Sequence, residues 1–104
     1  MAEVSRLKLH EELCELLGSR NVYFQPPESI KLNYPCIIYA RSNINVRRAD
    51  NRLYTSMDEY KITHISPDPD DPLTDTIIEH FEMCSFDRSF TADNMNHNIY
   101  HIYY

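Results

Sequence analysis

Five histidines and three cysteines are the residues of this sequence whose side chains could bind a metal ion or act as nucleophiles. His97 and His101 stand four positions apart. In an extended strand this spacing places both side chains on one face but about 13 Å apart, too far for one ion whose ligand bonds measure about 2 Å. Two further pairs share the spacing without a third ligand at a recognised distance along the chain: His10 with Cys14, and His80 with Cys84. We therefore expect no metal site.

The cysteines are odd in number and far apart, at Cys14, Cys36 and Cys84. We interpret them as buried, reduced thiols rather than as a disulfide framework. A nucleophilic cysteine needs a partly exposed, electropositive setting. Because Cys14 lies on the apolar face of a predicted helix and Cys36 opens the most apolar predicted strand, packing explains both residues better than catalysis does.

Phosphate-binding and calcium-binding loops are also absent from the sequence. Gly18 is the single glycine, whereas each familiar phosphate loop needs several glycines to bring backbone N–H groups against phosphate. The acidic cluster at Asp68, Asp70 and Asp71 alternates with prolines and lacks the ligand pattern of a calcium loop, so turns and a helix cap explain it. We expect a protein that is not an enzyme and holds no cofactor, with a small metal-dependent hydrolase kept in reserve.

The composition is that of one globular domain spanning residues 1–104. Of its 104 residues 42% are apolar and 25% charged, which does not indicate intrinsic disorder. A chain of this length supports one hydrophobic core. No run reaches the length of a membrane span, and the first residues contain no apolar signal core, so the cytosol is the default location.

Hydrophobic periodicity predicts an α+β fold. Apolar residues at Val4, Leu7, Leu13, Cys14 and Leu17 predict an amphipathic helix that ends at Gly18, and Asp71 followed by Pro72 predicts the start of a second helix. The predicted strands cover 21–25, 36–40, 60–65, 83–90 and 99–104. The order α-β-β-β-α-β-β favours two helices packed on a mainly antiparallel sheet of about four to five strands. Residues 41–57 are polar and arginine-rich and predict a projecting hairpin or loop, with Asp50-Asn51 as its turn.

Charge is distributed unevenly along the chain, whose formal net charge is −6. Residues 1–60 contain eight acidic and eight basic side chains, whereas residues 61–104 contain eight acidic and two basic ones. This polarity suits a head-to-tail contact between identical copies, in which arginines grip a neighbour's carboxylates. The candidate contact residues for another subunit or partner are Arg41, Arg47, Arg48, Arg52 and Tyr54. The candidate acidic residues, which would complement them or face a lumen, are Asp68, Asp70, Asp71 and Asp75.

Several stretches of the sequence resemble a known family of small proteins of tailed bacteriophages. The similarity covers nearly the whole chain and is most specific in 23–27 (YFQPP), 34–36 (YPC), 49–51 (ADN), 86–88 (FDR) and 90–94 (FTADN). The family is that of the tail terminator, or tail-completion, proteins, which are encoded among the head-to-tail joining genes.

The resemblance implies a structural virion protein in the phage neck, made in the host cytoplasm. Such proteins form a ring, commonly of six copies, that ends the tail tube and meets the head-side connector. The implied partners are further copies of the chain, the tail tube protein and the connector protein, with no membrane. DNA passes through the lumen as a non-specific neighbour, in keeping with a net charge that opposes tight binding to phosphates. The alternative is a monomeric adaptor or inhibitor that binds one host or phage protein through a Tyr/Arg-rich surface.

Overall fold

The computed structural model describes residues 2–49 and 52–104, with side chains described for 6–42 and 58–104. Two helices and five strands follow one another in the predicted order α-β-β-β-α-β-β. Their bounds are α1 Ala2–Leu17, β1 Val22–Phe24, β2 Cys36–Ala49, β3 Arg52–Ser66, α2 Leu73–His80, β4 Cys84–Ala92 and β5 Met95–Tyr103. The α+β fold class is confirmed.

All five strands belong to one sheet in the order β1-β2-β3-β5-β4. β1 pairs with β2 in parallel, and the other three pairings are antiparallel, which confirms a mainly antiparallel sheet. β1 and β4 form the two edges. β2 and β3 are much longer than the predicted segments 36–40 and 60–65, because the arginine-rich region between them continues the strand pairing as a hairpin.

The hydrophobic core lies between the two helices and one face of this sheet. It contains alternate residues of the central strands, which are Ile37, Tyr39, Tyr60, Ile62, Tyr100 and Ile102. Leu9 and Leu13 of α1 and Ile77 of α2 pack against that same face and are fully buried. Both helices therefore cover one side of the sheet, as the sequence predicts.

The end of α1 and the start of α2 lie where the sequence predicts them. Gly18 has a φ of 81°, and its N–H donates to the carbonyl of Cys14 at 2.9 Å, which ends α1 with a left-handed cap. At the start of α2, a carboxylate oxygen of Asp71 accepts the N–H of Leu73 at 2.9 Å. The Asp71 cap satisfies a backbone donor that the first turn of a helix leaves without a partner.

Two local predictions are corrected. Leu7, placed by the sequence on the apolar face of α1, is 55% exposed, and the buried residue is Leu9. Leu9 and Leu13 lie one turn apart, so they share a stripe that excludes Leu7. β5 starts at Met95 rather than near Ile99, because Asp93 and Asn94 both take positive φ angles (53° and 63°) and close a two-residue hairpin turn without glycine.

The buried stripe of α1 yields a stability prediction with a matched control. Leu9→Ala should lower the free energy of unfolding by about 2–5 kcal/mol, because it removes a buried side chain and leaves a cavity. Leu7→Ala makes the same chemical change two residues earlier on an exposed side chain and should change it by less than about 0.5 kcal/mol. Urea denaturation followed by circular dichroism measures both, and equal losses in the two variants would contradict this assignment of the core.

Candidate interaction surface

The hairpin of β2 and β3 extends beyond the rest of the sheet as a two-stranded arm, formed by residues 43–49 and 52–57. Pairing of β3 with β5 begins only at Glu59, and within the described strands the arm residues pair only between β2 and β3. At about 3.3 Å per residue the arm is roughly 20 Å long. The whole protein accordingly measures 51 Å in its longest direction against 27 and 22 Å in the others.

The arm carries most of the arginines that the sequence marks as contact residues. Arg47 is in register with Thr55, Arg48 with Leu53, and Ala49 with Arg52. The side chains of Arg47, Arg48, Arg52 and Tyr54, and the predicted turn at Asp50-Asn51, lie outside the described residues.

Arg41, the fifth predicted contact residue, is engaged inside its own chain at the base of the arm. Its Nε lies 2.9 Å from Oδ2 of Asp58, whose side chain is 9% exposed. The contact is an ion pair rather than a well-directed hydrogen bond, since Nε meets no acceptor at hydrogen-bonding geometry. A terminal nitrogen of Arg41 donates to the hydroxyl of Tyr60 at 3.4 Å, and this hydrogen bond is the main cause that raises the pKa of the guanidinium. Arg41 thus fastens β2 to β3 where the arm leaves the sheet.

The predicted acidic residues lie at the opposite end of β3, where that strand runs into α2. Asp68 accepts the N–H of Asp70 at 2.9 Å, and Asp71 accepts the hydroxyl of Ser66 at 3.0 Å. These contacts form the turn and the helix cap. Asp68, Asp70 and Asp75 are exposed, so the acidic surface and the arm occupy opposite ends of the protein.

Ser66, His64 and Asp71 come together at this end in a cluster that no local sequence pattern indicates. Nε2 of His64 lies 3.5 Å from Oδ2 of Asp71, the same oxygen that Ser66 contacts. The carboxylate therefore stands between serine and histidine, and the Ser66 hydroxyl is not placed to lose its proton to an imidazole as a nucleophile does. The alternation of Tyr60, Ile62 and His64 in the sequence does indicate that His64 faces the core.

His64 is fully buried, and neither of its ring nitrogens has a hydrogen-bond partner. Burial lowers its pKa, and the nearby charge of Asp71 opposes that shift without reversing it. His64 is therefore neutral at neutral pH.

The other four histidines do not contact the His or Cys that stands four positions away in the sequence. His101 lies between two carboxylates, with Nε2 at 3.1 Å from Asp87 and Nδ1 at 3.2 Å from Glu59. The ring of His97 stacks on Phe90 with centroids 4.7 Å apart. His10 contacts the Tyr39 hydroxyl at 2.8 Å, and His80 contacts Glu12 at 3.2 Å. Within the described residues, no group of three or more His, Cys, Asp or Glu side chains is placed to hold a metal ion.

The three cysteines are free thiols in environments that keep them protonated. Cys14 and Cys36 are buried, and Cys84 is half-buried. Burial raises the pKa of all three thiols, that of Cys36 to about 11. The thiolate, which is the nucleophilic form, is therefore disfavoured at each position.

β4 forms an exposed edge of the sheet. Two aromatic side chains of β4 are largely exposed, Phe86 at 47% and Phe90 at 44%. A bulge between Phe86 and Arg88 interrupts the register with β5 and turns Asp87 toward His101. Such bulges are common on edge strands, where they hinder indiscriminate pairing with other chains.

Comparison with known proteins gives no family. No family model matches the chain, and no curated protein matches it. Among the helices of the described residues, none is long and apolar enough to cross a membrane.

Buried, neutral His64 predicts a loss of stability on acidification. Because its pKa is lower in the folded than in the unfolded protein, the unfolded state binds more protons as the pH falls below about 6.5, and the free energy of unfolding decreases. His64→Leu removes this contribution and should flatten the decrease between about pH 7 and pH 5. The control is His97→Gln, which removes a histidine on the other face of the sheet and leaves His64 in place. Urea denaturation across this pH range measures all three proteins, and parallel slopes would contradict the role of His64.

Proposed function

We propose that this protein is a structural component of a phage virion that forms a ring at the joint between tail and head. In this role it ends the tail tube, meets the head-side connector and lets DNA pass through its lumen. The observation that supports the proposal most directly is the polarity of the fold. A two-stranded arm with an arginine-rich sequence leaves one end of the sheet, and exposed carboxylates lie at the other end.

An arm of this kind favours contact with a neighbour over contact with its own chain. Its two strands pair with each other and extend away from the sheet, so residues near Ala49 and Arg52 are roughly 20 Å from the body of the protein. A contact between an arm and a different surface of the next copy is heterologous, and heterologous contacts close into rings when the rotation between copies permits. A ring is the assembly that the resemblance to tail terminator proteins implies.

The acidic surface supports the same role. Asp68, Asp70 and Asp75 lie at the end of the protein away from the arm, so the arm of the same copy does not neutralise them. Carboxylates on the wall of a channel repel the phosphates of passing DNA and prevent it from binding there. We assign the lumen-facing role to these residues.

The polar residues that could do chemistry have structural contacts instead, which supports a role without catalysis. Asp71 caps α2, and Arg41 pairs with Asp58. The thiols of Cys14 and Cys36 are buried and protonated.

Electron microscopy of particles made without this protein tests the proposal. We expect tails of irregular length or unjoined heads and tails, and a map of the complete particle should contain a ring of this fold at the neck. Correctly ended tails joined to heads in its absence would refute the proposal. A discrete one-to-one complex with a host protein would favour the adaptor alternative.

Reversal of arm charge should weaken assembly while leaving the fold intact. Arg47→Glu with Arg48→Glu places like charges in the arm contact, and self-association or docking to the particle should weaken by about tenfold or more. The control is Arg20→Glu with Lys31→Glu, which makes the same charge change outside the arm on exposed residues. Light scattering after size-exclusion chromatography measures association, and circular dichroism checks the fold. Unchanged assembly of the arm variant would remove the role given to these arginines.

A further inference from the structure

A cavity of about 380 Å³ lies where α1, the end of α2 and the end of β5 meet. Its walls are Lys8 and Glu12 of α1, residues 80–83, and Tyr103 and Tyr104. Residue 80 is the last residue of α2. The function proposed above assigns no role to this cavity, and no local sequence pattern indicates it, because its walls come from three distant parts of the chain.

The lining combines aromatic rings with carboxylates. Phe81 and Tyr104 pack edge to face, with centroids 6.3 Å apart. Glu12 accepts a hydrogen bond from the Tyr104 hydroxyl and lies 3.2 Å from Nε2 of His80. A carboxylate has about four acceptor positions, so Glu12 keeps the capacity to accept another donor. Glu82 is exposed at the same cavity and supplies a second carboxylate.

These features fit a guanidinium better than other common groups. Arginine stacks on aromatic faces and donates in pairs to carboxylates, whereas an anionic group would meet Glu12 and Glu82. Lys8 is the one formal positive charge of the lining, and it is exposed at the rim. The arm supplies three arginines in six positions, Arg47, Arg48 and Arg52.

The position of the cavity excludes the arm of the same chain. Tyr104 exchanges two backbone hydrogen bonds with Asp58, at 3.0 and 3.3 Å, and Asp58 is the residue of β3 that adjoins the arm. The cavity therefore lies at the base of the arm, roughly 20 Å from its far end. An arginine near Ala49 or Arg52 can enter such a cavity only in a second copy.

We propose that this cavity binds an arginine side chain from the arm of a second copy of the chain. The inference rests on the proposed ring function and names the surface that accepts the arm. It replaces the acidic cluster at Asp68, Asp70 and Asp71 as the acceptor, since Asp71 already caps α2 and Asp68 already closes a turn. The contact is heterologous, because the arm of one copy meets a different surface of the next.

Two substitutions at the cavity, which should have opposite effects on self-association, test the proposal. Glu82→Lys should weaken self-association by about tenfold or more, because it sets an ammonium against the entering guanidinium. Lys8→Met keeps the side-chain length, removes the competing cation and should strengthen association by about threefold. The control is Glu28→Lys, the same charge reversal on an exposed loop residue. Sedimentation equilibrium up to about millimolar protein measures the constants, and circular dichroism checks that each variant is folded.

A mixing experiment identifies the pair of surfaces. The arm variant Arg47→Glu with Arg48→Glu and the cavity variant Glu82→Lys should each associate weakly alone. Mixed in equal amounts they should associate again, because the intact arm of one meets the intact cavity of the other, and the reversed arm meets the reversed cavity. Native mass spectrometry would detect the mixed complexes. An absence of mixed complexes would overturn the proposal.

The failure of this inference is distinguishable from failure of the ring function. If wild type and Glu82→Lys associate equally, or wild type stays monomeric at every concentration, the cavity does not bind the arm. The ring function would still stand if particles made without the protein have unjoined or irregular tails. If those particles are normal, the ring function is refuted, whatever the association constants of the variants.

Discussion

A ladder of large side chains across all five strands fixes the register on which the structure depends. Phe24 pairs with Tyr39, Tyr39 with Ile62, Ile62 with Tyr100, and Tyr100 with Phe86, so that one residue from each strand lies in a single row on the helix side of the sheet. The rings at both ends of the row are in contact, with centroids 4.9 Å apart for Phe24 and Tyr39 and 5.5 Å apart for Phe86 and Tyr100. A shift of one residue in any strand would move its member of the row to the other face, so the burial of Tyr39, Ile62 and Tyr100 determines the pairing of the central strands.

The one-sided core decides where the arm and the cavity are found. Both helices cover the side of the ladder, and the central strands β3 and β5 end their pairing near Glu59 and Tyr103. β2 and β3 continue past that point without the support of a third strand, and the Arg41–Asp58 ion pair stands at the transition. The arm is therefore a continuation of two strands that carry the core, and its direction is set by the same register that builds the core. The cavity is formed at the same end, where the last residue of β5 meets both helices.

Much of the fold could be predicted from the sequence because its signals are local. The caps at Gly18 and Asp71, the period-two alternation around Ile62 and the order of elements all depend on neighbouring residues. The prediction was wrong where a tertiary contact decides between similar local patterns, as between Leu7 and Leu9 on α1. It also started β5 too late, because two residues, Asp93 and Asn94, turn the chain without glycine. In the candidate surface, the charge pattern predicts the arm. The ion pair of Arg41 with Asp58 and the cavity beside Glu12 depend on contacts between residues far apart in the chain, and no local pattern predicts them.

The geometry of the arm base has a consequence for assembly. Because Tyr104 is paired with Asp58 through two backbone hydrogen bonds, the cavity and the root of the arm are joined directly through the backbone. In the proposed contact, where the arm of one copy binds in the cavity of the next, the position of each following arm would be determined by the contact before it. The same operation would then be repeated at every contact, and repeated contacts form a ring when the rotation closes and a helical filament when it does not. The length of the arm would set the spacing between copies, and the twist of β2 on β3 would set the angle. The same two strands that carry the core ladder would thereby determine the number of copies in the ring.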